Sequence, residues 1–385
     1  MKEDVVLFMP NVGGGGAERV MLTVARGMVD AGVKVHLILA SAKGPYLADV
    51  PEGVELVDLK APRVLAALPS LVRELRRIRP HAALGTLPYA NLVLLWAARI
   101  ADPRIRVYLR EANTPSQVLT GSSNLKDRAE MRLSKAFYRL AEGVVAVSDG
   151  VARDVQEYLG VPKEKITTIY NPVVTPDIPG LAAQAPEHPF FKSGSPVIVA
   201  MARLEPQKDI SMLIRAFKRL KTTHSRARDA RLLVLGEGRE RQRLEQLIHE
   251  LQLGDSVDLP GFVENPFSYI SHANVFALSS RREGLPGSLI QALACGTPIV
   301  STDCPSGPSE VLDGGRYGQL VRVGDTEAMA NALARALREP ANATQLRQRA
   351  NVFSLDNGIR GYLNLLAPDK APVLRKEDRV PGPIP

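Results

Sequence analysis

VVLFMPNVGGGGAERVMLTVARGMVDAGVKVHLILA, residues 5–40, decides the fold class of this chain. An apolar run from Val5 to Met9 precedes four consecutive glycines, an amphipathic stretch from Ala17 to Asp30 and a second apolar run from Val33 to Ala40. This order predicts strand, loop, helix and strand, which is a βαβ unit. A glycine loop where a helix begins suits phosphate, because backbone N–H groups are unpaired there. A merely flexible turn stays open as the alternative, since four adjacent glycines are not the spaced dinucleotide fingerprint.

The same alternation starts again in the second half of the chain. Short apolar runs at 197–202, 232–235, 257–259, 275–278 and 299–301 alternate with helical patterns at 211–220, 239–251 and 288–294. Two doubly wound α/β domains are therefore expected. The predicted divisions are a first domain at 1–173, a proline-rich linker at 174–189, a second domain at 190–353, a terminal helix at 354–367 packing back on the first domain, and a disordered tail at 368–385.

Composition places the chain among globular proteins. Its 385 residues are 45% hydrophobic and 23% charged, which excludes a fibrous or disordered chain. Two cysteines cannot form a disulfide framework, and the first apolar run is too short for a signal-peptide core. The uncharged stretch 82–98 is expected to be a buried helix or loop rather than a membrane span. The predicted location is cytoplasmic.

The net charge of +8 is concentrated in the first half, where residues 62–110 contain nine arginines against two acidic residues. Residues 65–78 form a basic amphipathic pattern with two interpretations. One is an ordinary surface helix whose apolar stripe packs on the sheet. The other is peripheral contact with the anionic inner face of the cytoplasmic membrane, which would suit a lipid-linked acceptor. No nucleic-acid partner is expected.

Polar residues follow several strands of the predicted second domain. Arg203 and Lys208 flank a loop directly after a strand, and such a pair suits a diphosphate. Glu283 precedes a helix opened by Pro286, where free backbone N–H groups hold an anion or sugar oxygens. Each feature alone also fits a solvated surface or a carboxylate that complements the helix dipole.

Taken together, the motifs identify a family. The chain resembles glycosyltransferase family 4, the retaining enzymes of the two-domain GT-B fold, in which two Rossmann-like domains face a central cleft. The resemblance runs through Gly15-Gly16-Ala17-Glu18-Arg19, Val147-Ser148, Tyr170-Asn171-Pro172, Ala202-Arg203-Leu204 with Gln207-Lys208, Ser279-Ser280-Arg281-Arg282-Glu283-Gly284 and Ala294-Cys295-Gly296-Thr297-Pro298. It implies that the second domain binds a nucleotide-sugar donor and the first binds the acceptor.

The resemblance also implies roles for individual residues. Gly15 and Gly16 approach the donor diphosphate, which Arg203 and Lys208 neutralise, and Glu283 meets the donor sugar as the catalytic residue. Three backbone amides and one side chain complete the donor site: Gly287, Ser288 and Leu289 face the donor, and Val263 faces the base.

Two positions depart from the family pattern. Gln291 stands where relatives keep a second glutamate for the ribose, so a charge-assisted hydrogen bond becomes an ordinary, weaker one. Ala112 stands where many relatives carry histidine, which leaves Glu111 or Asn113 as the acceptor-side candidate.

The resulting hypothesis is a retaining glycosyltransferase that moves a hexose or N-acetylhexosamine from a nucleotide-diphosphate sugar, with UDP favoured, to a glycan or lipid-linked glycan. No Asp-x-Asp occurs, so no metal and no cofactor are expected and basic groups must stabilise the leaving diphosphate. Two alternatives remain at this point: a sugar-nucleotide epimerase of the same fold, and a non-catalytic sugar-nucleotide or glycan-binding protein.

Overall fold

The computed structural model of the chain describes residues 4–120, 125–339 and 341–371 and divides them into two compact units. The first unit runs to Pro172 and resumes at Val352, and the second spans Val173–Asn351. Each unit contains one sheet whose strands all pair in parallel. The prediction of two doubly wound α/β domains is confirmed.

The first unit contains a seven-stranded sheet of order β3-β2-β1-β4-β5-β6-β7. Its strands are β1 (Asp4–Met9), β2 (Lys34–Leu39), β3 (Glu55–Asp58), β4 (Ala82–Thr86), β5 (Arg106–Glu111), β6 (Gly143–Ala146) and β7 (Ile166–Thr168). Its helices before the second unit are α1 (Gly16–Asp30), α2 (Leu68–Ile78), α3 (Pro88–Ala101), α4 (Pro115–Thr120), α5 (Leu125–Phe137) and α6 (Asp149–Leu159). Central strands such as β1 are apolar and buried almost throughout, because helices cover both faces of a parallel sheet.

The second unit contains a six-stranded sheet of order β10-β9-β8-β11-β12-β13. Its strands are β8 (Val197–Met201), β9 (Arg231–Leu235), β10 (Val257–Gly261), β11 (Val275–Leu278), β12 (Ile299–Thr302) and β13 (Gln319–Val321). Its helices are α7 (Ile178–Ala182), α8 (Ile210–Thr223), α9 (Arg241–Glu250), α10 (Pro266–His272), α11 (Gly287–Cys295), α12 (Pro308–Val311), α13 (Thr326–Ala336) and α14 (Ala343–Ala350). The apolar faces of α8, α9 and α13 share one core with the sheet.

A terminal helix, α15 (Leu355–Leu366), belongs to the first unit although it follows the second in the chain. Its buried Tyr362 and Leu363 join the core that α1 forms with the first sheet. Gly27 of α1 makes this packing close, because a Cβ there would lie 2.5 Å from Ile359. The tail begins with a 3-10 turn at Pro368–Lys370, and the rest of the predicted disordered tail, 372–385, lies outside the described residues.

Two segments differ from their predictions. Residues 82–98, expected to be a buried helix or loop, form strand β4 followed by the start of α3, with Pro88 as its first residue. Residues 174–189, predicted to be a linker, belong to the second unit and include α7, which packs on α10. Asn265 secures this packing, because its Nδ2 donates to the Leu181 carbonyl oxygen at 3.0 Å. Proline content alone therefore gave a misleading boundary.

Helix α2 shows which face of the amphipathic pattern at residues 65–78 packs against the rest of the first unit. Leu71, Val72 and Leu75 are buried against the unit, so the apolar stripe packs inside the protein. Arg73, Arg76 and Arg77 remain exposed on the other side. Among the described residues, no helix combines the length and the hydropathy that crossing a bilayer requires.

Candidate active site

The strand order of the second sheet reverses between β8 and β11. β8 pairs with β9 on one side and with β11 on the other. Open parallel sheets bind ligands at the carboxyl ends of the strands at such a point, because the adjacent loops separate there. The two loops concerned, residues 202–209 after β8 and 279–286 after β11, contain Arg203, Lys208 and Glu283.

The structure brings Lys208 and Glu283 into direct contact. Lys208 Nζ donates to Glu283 Oε1 at 2.5 Å, and Ser280 Oγ donates to the same oxygen at 2.6 Å. The side chains of Lys208 and Glu283 are 17% and 9% exposed, so the carboxylate is largely desolvated and depends on these charge-assisted bonds. The two groups predicted to handle diphosphate and sugar therefore form one cluster, which we call the donor cluster: Lys208, Ser280 and Glu283.

Backbone and side-chain hydrogen bonds fasten the two loops together. Gln207 Nε2 donates to the Arg282 carbonyl oxygen at 2.8 Å, and the Arg281 N–H donates to the Gln207 carbonyl oxygen at 2.8 Å. Asp209, which caps α8 with a positive φ of 46°, accepts a hydrogen bond from Arg281 Nε at 2.8 Å. Contacts made by the residues before and after Lys208 therefore fix the distance between the Lys208 and Glu283 side chains.

A third loop supports Glu283 from the end of β12. The Glu283 N–H donates to the Pro305 carbonyl oxygen at 3.3 Å. Gly307 has a φ of 99°, and a Cβ there would lie 2.5 Å from Pro286 Cδ, so glycine is required for this close approach. The segment 305–307 therefore supports the loop that carries Glu283.

The amino end of α11 lies directly after Glu283. Gly287 and Ser288 are half-buried there, and their N–H groups belong to the first turn, where helices leave donors for anions. The Leu289 N–H differs, because it donates to the Pro286 carbonyl oxygen at 3.1 Å. The Leu289 amide therefore already has a partner in the first turn of the helix, and its role toward the donor stays a prediction.

Three further predicted donor residues take no part in the hydrogen bonds of the cluster described above. Arg203 is exposed in the loop after β8, and Val263 is half-buried after β10. Gln291 is half-buried in the second turn of α11. The loop that carries Arg203 is fixed by close backbone contact, since a Cβ at Gly236 would lie 2.1 Å from the Ala202 carbonyl oxygen.

The glycine loop of the first unit has the geometry expected of a helix entry. Gly15 is the extended N-cap of α1, and Gly16 is its exposed first residue. A Cβ at Gly15 would lie 2.4 Å from Glu18 Oε2, whereas one at Gly16 would meet nothing within 4 Å. Tyr46 holds the loop from the side by donating its hydroxyl hydrogen to the Gly14 carbonyl oxygen at 3.3 Å.

The two acceptor-side candidates have different environments. Asn113 is exposed, whereas Glu111 is only 1% exposed at the end of β5. Tyr138 Oη donates to Glu111 Oε1 at 2.6 Å and Asn91 Nδ2 donates at 3.2 Å. Burial raises the pKa of Glu111 from 4.5 to about 7, against the lowering effect of these two bonds. Asn113 is therefore the candidate that an acceptor can reach.

Arg110, beside Glu111, is a structural residue that the sequence did not reveal. It is fully buried and donates to Tyr362 Oη at 3.0 Å, Thr86 Oγ1 at 3.0 Å and Asn171 Oδ1 at 2.6 Å. Ser280 was also overlooked, although its position three residues before Glu283 in one loop is a usable signal. The partners of Arg110 lie 24 to 252 residues away, so no local pattern could indicate them.

Family models match both units. The model described as Glycosyltransferase Family 4 matches residues 14–176, and the model described as Glycosyl transferases group 1 matches residues 183–352. The chain belongs to glycosyltransferase family 4. This glycosyltransferase therefore carries its donor cluster within the group 1 match, and Glu111 and Asn113 within the other.

Individual relatives align with this chain over nearly its whole length. The N-acetylgalactosamine-N,N'-diacetylbacillosaminyl-diphospho-undecaprenol 4-alpha-N-acetylgalactosaminyltransferase of Campylobacter jejuni is 29% identical, over 94% of this chain and 98% of that protein. The lipopolysaccharide core biosynthesis glycosyltransferase LpsE of Rhizobium meliloti is 25% identical, over 92% and 96%. The crystal structure of Anabaena Alr3699/HepE in complex with UDP and glucose superposes with a TM-score of 0.76 at 19% identity, covering 95% and 99%, which shows the shared GT-B fold.

Proposed function

We propose that this glycosyltransferase moves an N-acetylhexosamine or hexose from a nucleotide-diphosphate sugar to a lipid-linked or lipopolysaccharide-type glycan, with retention of configuration and without a metal ion. The observation that carries the proposal is the donor cluster beside the amino end of α11. A cation, a carboxylate and helix amides at a switch point match the diphosphate, the hydroxyls and the oxygens of such a donor.

The diphosphate is held by positive charge and amides. Lys208 and Arg203 supply a compact charge and a planar fork, and the Gly287 and Ser288 amides add the positive end of the α11 dipole. These groups stabilise the charge that develops on the leaving diphosphate, which is the task that a metal ion performs in other enzymes. Activity is therefore expected to persist in EDTA.

The transfer step uses Glu283 on the sugar side. As the bond between C1 and the diphosphate oxygen breaks, positive charge develops on the sugar, and the Glu283 carboxylate stabilises it while accepting hydrogen bonds from hydroxyls. The acceptor oxygen then forms its bond to C1, and its proton passes to the leaving diphosphate oxygen. Both bonds involve one face of the sugar, so the configuration is retained.

The name of one relative indicates which donor and acceptor to test first. The Campylobacter jejuni relative is an N-acetylgalactosaminyltransferase that acts on a diphospho-undecaprenol-linked sugar, and its alignment spans both units of this chain. UDP-N-acetylgalactosamine and an undecaprenyl-diphosphate-linked glycan are therefore the first substrates to test. The acceptor is assigned to the first unit, where Asn113 is exposed after β5.

A thermal-protection panel tests the donor site. UDP-, GDP- and ADP-sugars are added with EDTA, and one nucleotide series is expected to raise the unfolding temperature, because ligand binding to the folded state stabilises it. Arg203→Ala should weaken that protection, whereas Arg243→Ala, which removes an exposed arginine of α9, should not. Protection that survives Arg203→Ala unchanged would contradict the assigned diphosphate site.

A turnover assay separates the proposal from the two alternative functions. Donor consumption should require the lipid-linked acceptor, and the new linkage should keep the donor's anomeric configuration. Epimerisation of the donor without any acceptor, or binding of donor and acceptor without transfer, would overturn the proposal in favour of an epimerase or a binding protein.

Peripheral attachment to an anionic membrane is the second part of the proposal. Arg76 Nη2 donates to the Ile100 carbonyl oxygen at 2.9 Å, and Arg99 Nη2 donates to the Leu140 carbonyl oxygen at 2.7 Å. Ile100 and Leu140 are 54% and 45% exposed, and Arg104 lines one cavity with Arg99 and Leu140. Arginines beside exposed aliphatic side chains combine attraction to anionic lipid with apolar insertion.

Vesicle sedimentation tests this surface. Binding to vesicles of phosphatidylcholine and phosphatidylglycerol should exceed binding to phosphatidylcholine alone and should weaken at high salt. Arg104→Glu should reduce it, whereas Arg243→Glu in the second unit should not. Equal and negligible binding to these vesicles at low and high salt would contradict the proposed membrane attachment.

A further inference from the structure

Ser280 is a fully buried serine whose hydroxyl faces the Glu283 carboxylate. Its Oγ donates to Glu283 Oε1 at 2.6 Å, and the residue is 0% exposed. A bond of this length from a hydroxyl to a carboxylate is charge-assisted and is stronger than one between neutral groups. Because Ser280 is enclosed, its hydroxyl can influence a bound donor only through Glu283.

Contacts with the neighbouring strand keep Ser280 in place. Thr302, the last residue of β12, donates its hydroxyl hydrogen to the Ser280 carbonyl oxygen at 2.6 Å. Thr302 is itself fully buried, and β11 and β12 are paired up to Leu278 and Ser301, next to this contact. The direction of the Ser280 hydroxyl is therefore set by the sheet rather than by the loop alone.

Lys208, which also donates to Glu283 Oε1, is attached differently. Its ammonium group lies at the end of a long side chain that remains 17% exposed, and the same group is assigned to the donor diphosphate. A doubly charged diphosphate competes with one carboxylate for this ammonium group. The hydrogen bond from Lys208 can therefore be exchanged when a donor binds, whereas that from Ser280 cannot.

We propose that Ser280 is a positioning residue for Glu283, an inference that rests on the proposed function. It holds Oε1 of the carboxylate while Lys208 engages the diphosphate, and so it keeps Glu283 oriented toward the donor sugar. Without it, the carboxylate would lose the hydrogen bond from a buried hydroxyl at the stage when positive charge develops on the sugar.

Kinetics of Ser280→Ala test the assignment. We expect kcat to fall about 10- to 100-fold, the value of one hydrogen bond to a charged group, with little change in the KM for the donor. Ser280→Cys keeps the size and a weaker donor, and should lie between the parent and Ser280→Ala.

The matched control is Ser301→Ala. Ser301 is also a fully buried serine at the end of a strand in this unit, but its hydroxyl donates to the Thr302 carbonyl oxygen at 2.9 Å. Its removal should leave kcat and the KM for the donor close to those of the parent. A Ser280→Ala protein that matches Ser301→Ala in kcat, or that loses donor KM and kcat together, would overturn the inference.

A double variant separates this inference from the proposed function. If Glu283→Gln transfers sugar as fast as the parent, the catalytic assignment itself fails. If Glu283→Gln is impaired, adding Ser280→Ala should reduce kcat no further, because both changes remove the same interaction. Independent, multiplying losses would contradict a role through Glu283 while leaving the proposed function intact.

Discussion

Glu283 and Glu111 are both buried glutamates that lie at or just beyond the carboxyl end of a parallel strand, yet their environments are opposite. Glu283 has the Lys208 ammonium at 2.5 Å and the Ser280 hydroxyl at 2.6 Å. Glu111 has a phenol and an amide, both neutral, while the neighbouring Arg110 donates to other partners. Only one of the two carboxylates has a cation as a direct partner.

The difference shows that position in a parallel sheet does not assign a carboxylate to chemistry. Burial without a cationic partner raises the pKa of Glu111 to about 7. Burial beside Lys208, in a loop at the switch point, leaves Glu283 among groups that suit a diphosphate sugar. The identity of the direct partner therefore distinguishes the two glutamates and favours Glu283 for the proposed reaction.

The largest expected effect is on turnover. Glu283→Gln should lower kcat by about 100- to 1000-fold, because it removes a preorganised charge from the transition state. Glu111→Gln keeps the hydrogen-bond acceptor and should remain within a few-fold of the parent. Initial rates of sugar transfer at saturating donor measure kcat for both variants. Equal losses of kcat would contradict the difference drawn here between Glu283 and Glu111.

The next prediction concerns Glu111 and the way in which it makes the free energy of unfolding depend on pH. The folded chain holds a proton on Glu111 more tightly than the unfolded chain does, so unfolding releases it between about pH 4.5 and 7. Stability therefore falls as pH rises through this window, by about 3 kcal/mol for a pKa raised from 4.5 to about 7. Glu111→Gln should lack this loss.

Trp96 gives a specific readout for that measurement. It is the one tryptophan of the chain and packs edge-on against Phe137 in the first unit. Urea unfolding followed by its fluorescence compares the parent and Glu111→Gln from pH 4.5 to 7.5. A difference in unfolding free energy that stays constant across this range would show that Glu111 is already ionised in the folded protein.

The smallest expected effect concerns the departure at Gln291. Gln291→Glu restores the charge that relatives place near the ribose, so we expect up to about tenfold tighter binding of the donor nucleotide. Gln345→Glu, an exposed change on α14, is the control. Titration with the nucleoside diphosphate measures the affinity of both variants. Unchanged affinity in both would show that Gln291 does not reach the nucleotide.

Local pattern predicted much of the fold. The glycine loop and the apolar runs around it correctly indicate β1, α1 and β2, and residues 355–366 form the terminal helix. Residues 88–98 lie in the largely buried helix α3, as expected, whereas residues 82–86 form strand β4. A short, fully buried strand and a buried helix share the same continuous apolar composition, so the sequence did not separate them. The helix α7 in the predicted linker is stabilised by packing on α10, which no propensity contains.

The candidate site was predictable only in part. Motif resemblance singled out Lys208 and Glu283, but they are 75 residues apart, and their ion pair depends on β8 and β11 being neighbours. The burial of Glu111 likewise depends on Asn91 and Tyr138, 20 and 27 residues away. Contacts at such separations arise from topology, so they become visible only in the folded chain.

Calorimetric titration of the parent and Glu283→Gln, in EDTA, tests most directly whether Glu283 binds the donor sugar. The titrants are the nucleoside diphosphate and the nucleotide sugar of the series that protects the parent. The account predicts that Glu283→Gln binds the nucleoside diphosphate at least as tightly as the parent, because the carboxylate that competes for Lys208 has lost its charge, and that the variant loses the sugar's added affinity. An added affinity that survives the change, or equal weakening of both ligands, would contradict it.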